Sequence, residues 1–162
     1  MRRSRRLWLA HTLPLLLLAA SCATRPPSPP VPTTRTVPGS PAEVRARVDA
    51  AARRFGLEVA PEPSGLRANS RGARAEWAEC GQILVYDRDS ETQRSGWASP
   101  GARDATVGVS LAPAAPAGTQ VTVVARFGAT YTNRYVNLPF SAGCASSGVL
   151  ERALLDAAGG GP

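Results

Sequence analysis

Two runs of strict alternation, set on either side of a proline- and glycine-rich loop, constrain this chain more than any other feature. Val107, Val109 and Leu111 alternate with Thr106, Gly108 and Ser110. After the loop from Pro113 to Gly118, Val121, Val123, Ala125 and Phe127 alternate with Thr122, Val124 and Arg126. A period of two sends successive side chains to opposite faces of a strand. Two such runs joined by a short breaker loop predict an antiparallel pair. A third run, Tyr131 to Leu138, is expected to return beside them after Gly128.

Helix signals bracket these runs. Ser40-Pro41-Ala42-Glu43 places a serine N-cap, a proline in the first turn and a glutamate at N3, a capping box with proline where it is tolerated best. Val44, Val48, Ala51 or Ala52, and Phe55 follow at helical spacing, and Gly56 stops the run. The spacing predicts a helix over 41–55, with Arg45, Arg47, Arg53 and Arg54 solvated. Near the other end, Ser146-Ser147-Gly148 is expected to cap a second helix carrying Leu150, Leu154 and Ala157 on one face, before a frayed tail over 159–162. Leu57 to Ala60 and Leu66 to Ser70 read as short strands, the first ended by Pro61 and Pro63. Ala75 to Cys80 and Ile83 to Tyr86 read as strand segments around Gly81-Gln82, and 87–103 as a polar loop. No crossover helix splits the strands. The expectation is a two-layer α+β domain over 40–158: an antiparallel sheet of about four to six strands with an N-terminal and a C-terminal helix on one face.

The chain opens Met1-Arg2-Arg3-Ser4-Arg5-Arg6, followed by an apolar stretch from Leu7 to Ala20 that His11 and Pro14 interrupt. A spanning helix needs about 20 apolar residues, and this stretch falls short. Ala19-Ala20-Ser21-Cys22 then supplies small residues and a cysteine, so residues 1–21 have the layout of a signal peptide. The segment resembles the lipobox of bacterial lipoproteins. Leu18 and Ala19 take the upstream apolar and small positions, Ser21 precedes the cut and Cys22 is the lipid acceptor; the position three before the cysteine is usually leucine and here is Ala19. The resemblance implies a membrane-anchored lipoprotein facing the periplasm. Ala23, rather than aspartate, follows Cys22, which by similarity to the enterobacterial sorting rule implies the outer membrane. The alternative is a plain signal peptide with a chance cysteine.

Behind Cys22, six of the 17 residues from 23 to 39 are proline. Such a segment prefers extended polyproline geometry, at about 3.1 Å per residue, and could hold a domain roughly 50 Å from a surface. It reads as a linker over 22–39, or as a docking strip for a partner or the cell wall.

Loss of residues 1–21 removes four arginines. That leaves 15 of the 19 basic residues against 12 acids, a formal +3 where the whole chain carries +7. These arginines are scattered rather than clustered on one element, which argues against nucleic acid as a partner. Cys80 and Cys144 remain as an even pair in an oxidising compartment and are expected to form a disulfide, the alternative being two buried thiols. The single histidine, His11, leaves with the signal. Without imidazole, the usual Ser-His-Asp and Cys-His nucleophile systems and the commonest zinc ligand are missing. The expectation is therefore no enzyme, no cofactor and no metal site.

Several residues carry alternative readings. Asp87, Asp89 and Glu91 could gather around calcium, or form a solvated loop. Ser146 and Ser147 could be nucleophiles, or helix caps. Glu76 and Glu79 flank Trp77 and could act as paired carboxylates in an envelope hydrolase, or lie on an exposed strand face. Tyr131, Arg134 and Tyr135, joined by the aromatics Trp77, Tyr86 and Trp97, have the composition of a partner-binding patch, or of ordinary strand formers.

The strand Gly118-Thr119-Gln120-Val121-Thr122-Val123 and the stretch Cys144-Ala145-Ser146-Ser147-Gly148-Val149-Leu150-Glu151 resemble elements of small uncharacterised proteobacterial lipoproteins. The helix–sheet–helix order is also similar to BamC-type helix-grip modules, which implies a scaffold or accessory role in an envelope complex. The sequence thus predicts a lipid-anchored, non-enzymatic binding or scaffold domain with an envelope protein partner. The hydrolase is the alternative, and a surface lipoprotein in contact with lipid or wall polymer is a third reading.

Overall fold

The computed structural model describes residues 33–87 and 94–161. The signal segment, Cys22 and most of the proline-rich stretch lie outside them. In chain order the elements are β1 (Thr33–Pro38), α1 (Pro41–Arg54), β2 (Glu58–Glu62), β3 (Gly65–Arg71), a 3-10 turn (Ala75–Trp77), β4 (Ala78–Glu79), β5 (Ile83–Tyr86), β6 (Ser95–Ala98), β7 (Arg103–Ala114), β8 (Gly118–Asn133), β9 (Leu138–Ser146) and α2 (Val149–Ala158).

The alternating runs form the centre of one sheet. β7 and β8 pair antiparallel from Arg103 opposite Ala129 to Ala114 opposite Gly118. Ala105, Val107, Val109 and Leu111 of β7, with Val121, Val123, Ala125, Phe127, Ala129 and Tyr131 of β8, are all buried on one side. Leu66 and Ala68 of β3 continue that face. The helices cover it with Val44, Val48, Ala51 and Ala52 from α1 and Leu150, Leu154 and Leu155 from α2. Full burial of such side chains stabilises by about 1.5–3 kcal/mol each, so this layer is the main source of cohesion.

The capping box at the start of α1 is formed as its sequence predicts. The Ser40 hydroxyl accepts from the Glu43 backbone N–H, and the Glu43 carboxylate accepts from the Ser40 backbone N–H at 2.8 Å. α2 begins differently: Gly148, at φ +74°, is its N-cap and offers no side chain. Ser146 and Ser147 act from outside the helix, their hydroxyls accepting from the Gly148 and Val149 backbone N–H groups.

The sheet is larger than expected, and the class changes with it. It has seven strands, in the order β2-β3-β7-β8-β9-β4 with β1 added on β8, and β5 and β6 form a separate two-stranded sheet. Strand accounts for 53% of the described residues. The fold is therefore mostly β with two helices, in place of an α+β domain with four to six strands. Three departures account for this. Thr33 to Val37, read as linker, is rich in β-formers and pairs with Gln120 to Val123 and their neighbours along β8, so strand pairing is already present ahead of residue 40. β8 does not end at Gly128 but runs through it to Asn133, and the return strand starts only at Leu138. Ser95 to Ala98, read as loop, pairs with Ile83 to Tyr86. Elsewhere, Pro61 lies inside β2 rather than ending it, which the sheet tolerates because β2 is an edge strand.

β1 and β9 share one side of β8. β1 takes Gly118 to Val123, and β9 takes Phe127 to Asn133. The sixteen residues of β8 thus serve as the common spine of three partner strands.

Candidate functional site

With both helices on the inner face, nothing among the described residues covers the outer face of the sheet. Alternation alone determines what it presents. One row across the strands is Arg67, Gly108 and Val124; the next is Asn69, Thr106 and Arg126; a third is Arg71, Asp104, Gly128 and Gly143. The face is floored by small side chains and rimmed by charge. Two shallow depressions lie on it. One, of about 220 Å³, is bounded by Glu62 and Arg67 on one side and Val124 on the other. The second, of about 470 Å³, is floored by Gly128, Ser141 and Gly143 and bounded by Asp104. Thr106 and Arg126 line both and form the ridge between them.

The charges on this face differ in their engagement. Arg67 donates Nε–H to the Glu62 carboxylate at 2.8 Å. Arg126 is exposed and has no hydrogen-bond or ion-pair partner among the described residues. The Asp104 carboxylate lies over Gly128: a Cβ built there would stand 2.8 Å from Asp104 Oδ1. Glycine at 128 is what lets the acid lie down on the sheet. The face thus offers an available guanidinium and a carboxylate on neighbouring rows, a surface suited to hydrogen-bonding an extended polar partner. The sequence signal for it was the polar half of the two alternating runs.

The patch read from sequence is divided by the structure. Trp77 and Tyr131 are core residues, 3% and 2% exposed, so neither presents a surface to a partner. Trp77 meets Phe55 edge-on at 6.3 Å, and the Arg74 guanidinium lies 5.4 Å from its ring centre. Tyr131 faces inward because its place on β8 is in phase with Val121 and Val123. It stacks on Phe140 at 5.5 Å, and its hydroxyl donates to the Gly81 carbonyl. Arg134 and Tyr135 lie in the β8–β9 turn. Arg134 is exposed, stands 5.3 Å from the Tyr135 ring centre, and covers Gly96 of β6 together with Tyr135. Of Trp77, Tyr131, Arg134 and Tyr135, only the last two remain near a surface; Tyr86 and Trp97 are exposed.

The disulfide between Cys80 and Cys144 is present, closing a separation of 64 residues. β4 pairs with β9 through Ala78 opposite Ser146 and Glu79 opposite Ala145, and the bridge is the next step of that register. Its Cα–Cα distance of 4.6 Å matches the ~4.5 Å of a non-hydrogen-bonded antiparallel pair. Two residues of strand pairing would hold β4 weakly, and the covalent link fixes it.

The remaining candidates have structural roles. Ser147 donates its hydroxyl to the Glu76 carbonyl at 2.6 Å, and Ser146 donates to Glu151 at 2.5 Å. Glu151 is 3% exposed, and its second carboxylate oxygen has no partner among the described residues. Glu76 and Glu79 are both exposed, Glu76 lies 3.9 Å from Arg74, and neither lines the two depressions. Ala75 to Trp77 forms a 3-10 turn rather than the expected strand, which separates the two carboxylates onto different elements. Asp89 and Glu91 lie outside the described residues. Among the described residues no group of three or more histidine, cysteine or acidic side chains could hold a metal ion, and no helix is long and apolar enough to cross a membrane. No protein family, no curated protein and no solved structure matches this chain.

Proposed function

We propose that this chain is a lipid-anchored lipoprotein of the bacterial envelope, attached through Cys22 and facing the periplasm, most simply at the outer membrane. Its domain is a non-enzymatic binding or scaffold module for an envelope protein. The observation that carries the binding role is the uncovered sheet face, with Arg126 unpaired among the described residues and Gly108 and Gly128 keeping the surface low. An extended, acid-bearing segment of a partner could lie across Thr106 and Arg126. The lipobox-like segment before Cys22 supports the anchor.

Two measurements test the reading. Mass analysis of the N-terminal peptide should find acyl chains on Cys22, and Cys22→Ala should release the protein from membranes. A photo-crosslinking residue at Gly108 should give a discrete adduct in cells. No atom stands within 4 Å of a Cβ built at Gly108, so the substitution leaves the sheet intact. The adduct should be lost with Arg126→Glu. An unmodified Cys22, or adducts indifferent to Arg126, would overturn the reading. The hydrolase alternative predicts that the purified protein cleaves cell-wall substrate and that Glu76→Gln or Glu79→Gln stops it.

A further inference from the structure

Exposed apolar side chains are gathered at one end of this fold. Five large ones are exposed among the described residues: Tyr86, Trp97, Val136, Leu138 and Val149. The first four share the far end of β8. Asn133, the last residue of β8, donates Nδ2–H to the Tyr86 carbonyl at 3.3 Å and pairs with Leu138 across the turn that holds Val136. Gly96, beside Trp97, lies under Arg134 and Tyr135, since a Cβ built on it would stand 1.8 Å from an Arg134 guanidinium nitrogen. In the β5–β6 ribbon Val85, Gly96 and Ala98 are buried. Leu84 and Trp97 pair on the opposite side, in phase with Tyr86. Trp97 is 53% exposed and Leu138 62%. An indole, a phenol and aliphatic side chains held at one tip are the composition found at the boundary between lipid headgroups and hydrocarbon.

The path of the chain favours lipid as the occupant. β1 runs antiparallel to β8, with Pro38 opposite Gly118 and Thr33 opposite Val123. Followed back from Pro38 to Thr33, the chain travels toward the end of β8 that bears the aromatics. From Val123 to Asn133 is ten residues of strand, about 33 Å at ~3.3 Å per residue. Cys22 precedes Thr33 by eleven residues, a reach of at most about 36–40 Å. The direction of β1 and the length of chain ahead of it are compatible with an anchor on Cys22 at the level of this end. The opposite end, at the Ala115–Ala117 loop, carries no large exposed apolar side chain among the described residues.

We infer that this end of the domain lies against the bilayer that holds Cys22, with Trp97, Tyr86 and Leu138 at headgroup level. The inference rests on the anchor of the preceding section. Charge plays little part: among the described residues this end carries Asp87 against Arg94 and Arg134, a formal +1. The contact is therefore apolar and forms on zwitterionic lipid.

The test uses the full acylated protein in phosphatidylcholine vesicles whose acyl chains carry bromine, a contact quencher of tryptophan. Trp97 emission should fall, most with bromine placed near the headgroup, while buried Trp77 stays bright. In Trp97→Phe the bromine-dependent loss should vanish, with circular dichroism unchanged. Acylated protein whose emission ignores bromine overturns this orientation and leaves the anchor standing. Protein in native membranes whose Trp97 is shielded from iodide but insensitive to bromolipid also overturns it, because a protein then covers the tip. A Cys22 without acyl chains overturns the anchor and this inference together.

Discussion

The Tyr131 hydroxyl donates to the carbonyl of Gly81 at 2.9 Å, joining positions 50 residues apart. The bond ties the end of β8 to the segment linking β4 to β5, just ahead of the small β5–β6 ribbon. Tyr131→Phe keeps the stacking on Phe140 and removes only the hydrogen bond. It should cost about 1 kcal/mol, seen as a lower urea midpoint with unchanged slope. Tyr131→Ala should cost about 3–5 kcal/mol, as for other large aromatics removed from a core. Arg134→Ala, three residues on but exposed, should stay within about 0.5 kcal/mol. Equal losses at 131 and 134 would show that the two are not divided between core and surface.

Reduction of the Cys80–Cys144 bridge should destabilise the fold by roughly 4 kcal/mol, the loop-closure contribution for a separation of this size. The double variant Cys80→Ala, Cys144→Ala should show the same loss without reductant. Hydrogen exchange should then rise first in β4, whose strand pairing among the described residues is two residues long. Uniform exchange across the sheet would contradict the assignment of the bridge as the lock on β4.

The capping box gives a pH dependence of known sign. The Ser40 backbone N–H, and then its side chain, hold the Glu43 carboxyl below its ordinary value of about 4.5. A folded value below the unfolded one contributes stability above the unfolded value. That contribution is lost as pH falls through the folded value. Glu43→Gln should therefore lower stability near neutrality and flatten the fall below about pH 4.5, with the two unfolding curves converging in acid. Ser40→Ala, measured at neutral pH, should cost about 1 kcal/mol. Parallel acid limbs would remove Glu43 as the titrating group.

Gly65 is set by close approach rather than by an unusual backbone angle. A Cβ there would stand 1.8 Å from the Val109 carbonyl oxygen. Gly65→Ala must push β3 away from β7 and should cost about 1–3 kcal/mol. Gly108→Val, on the open face of the same strand pair, should be neutral or stabilising, since a β-branched residue replaces glycine with space around it. Thermal unfolding of the two variants separates these outcomes.

Legibility followed the strength of periodic pattern. The helix at 41–55 was readable because capping box, proline and apolar spacing agree at Ser40 to Phe55, and the β7–β8 pair because alternation there is nearly unbroken. The strand at Thr33 to Val37 was hidden by six prolines around it, since composition is averaged over a segment while pairing is decided residue by residue. Gly128 looked like a terminus, yet a glycine that makes room for the Asp104 carboxylate has a reason to sit inside a strand. That same miscounted strand put Tyr131 on a hairpin surface, when its phase with Val121 sends it inward. The open face around Arg126 was written in the polar half of the alternation, but the absence of a covering layer is a property of where both helices pack, which no local pattern carries.

β1 has a mechanical consequence. Tension arriving through the chain ahead of Thr33 pulls along the axis of β1, parallel to β8. Six residue pairs, from Thr33 opposite Val123 to Pro38 opposite Gly118, then bear the load side by side in shear. A strand pulled from its end across the sheet would instead unzip one pair at a time and yield at a lower force. A pull along β1 from its N-terminal end therefore meets all six pairs at once.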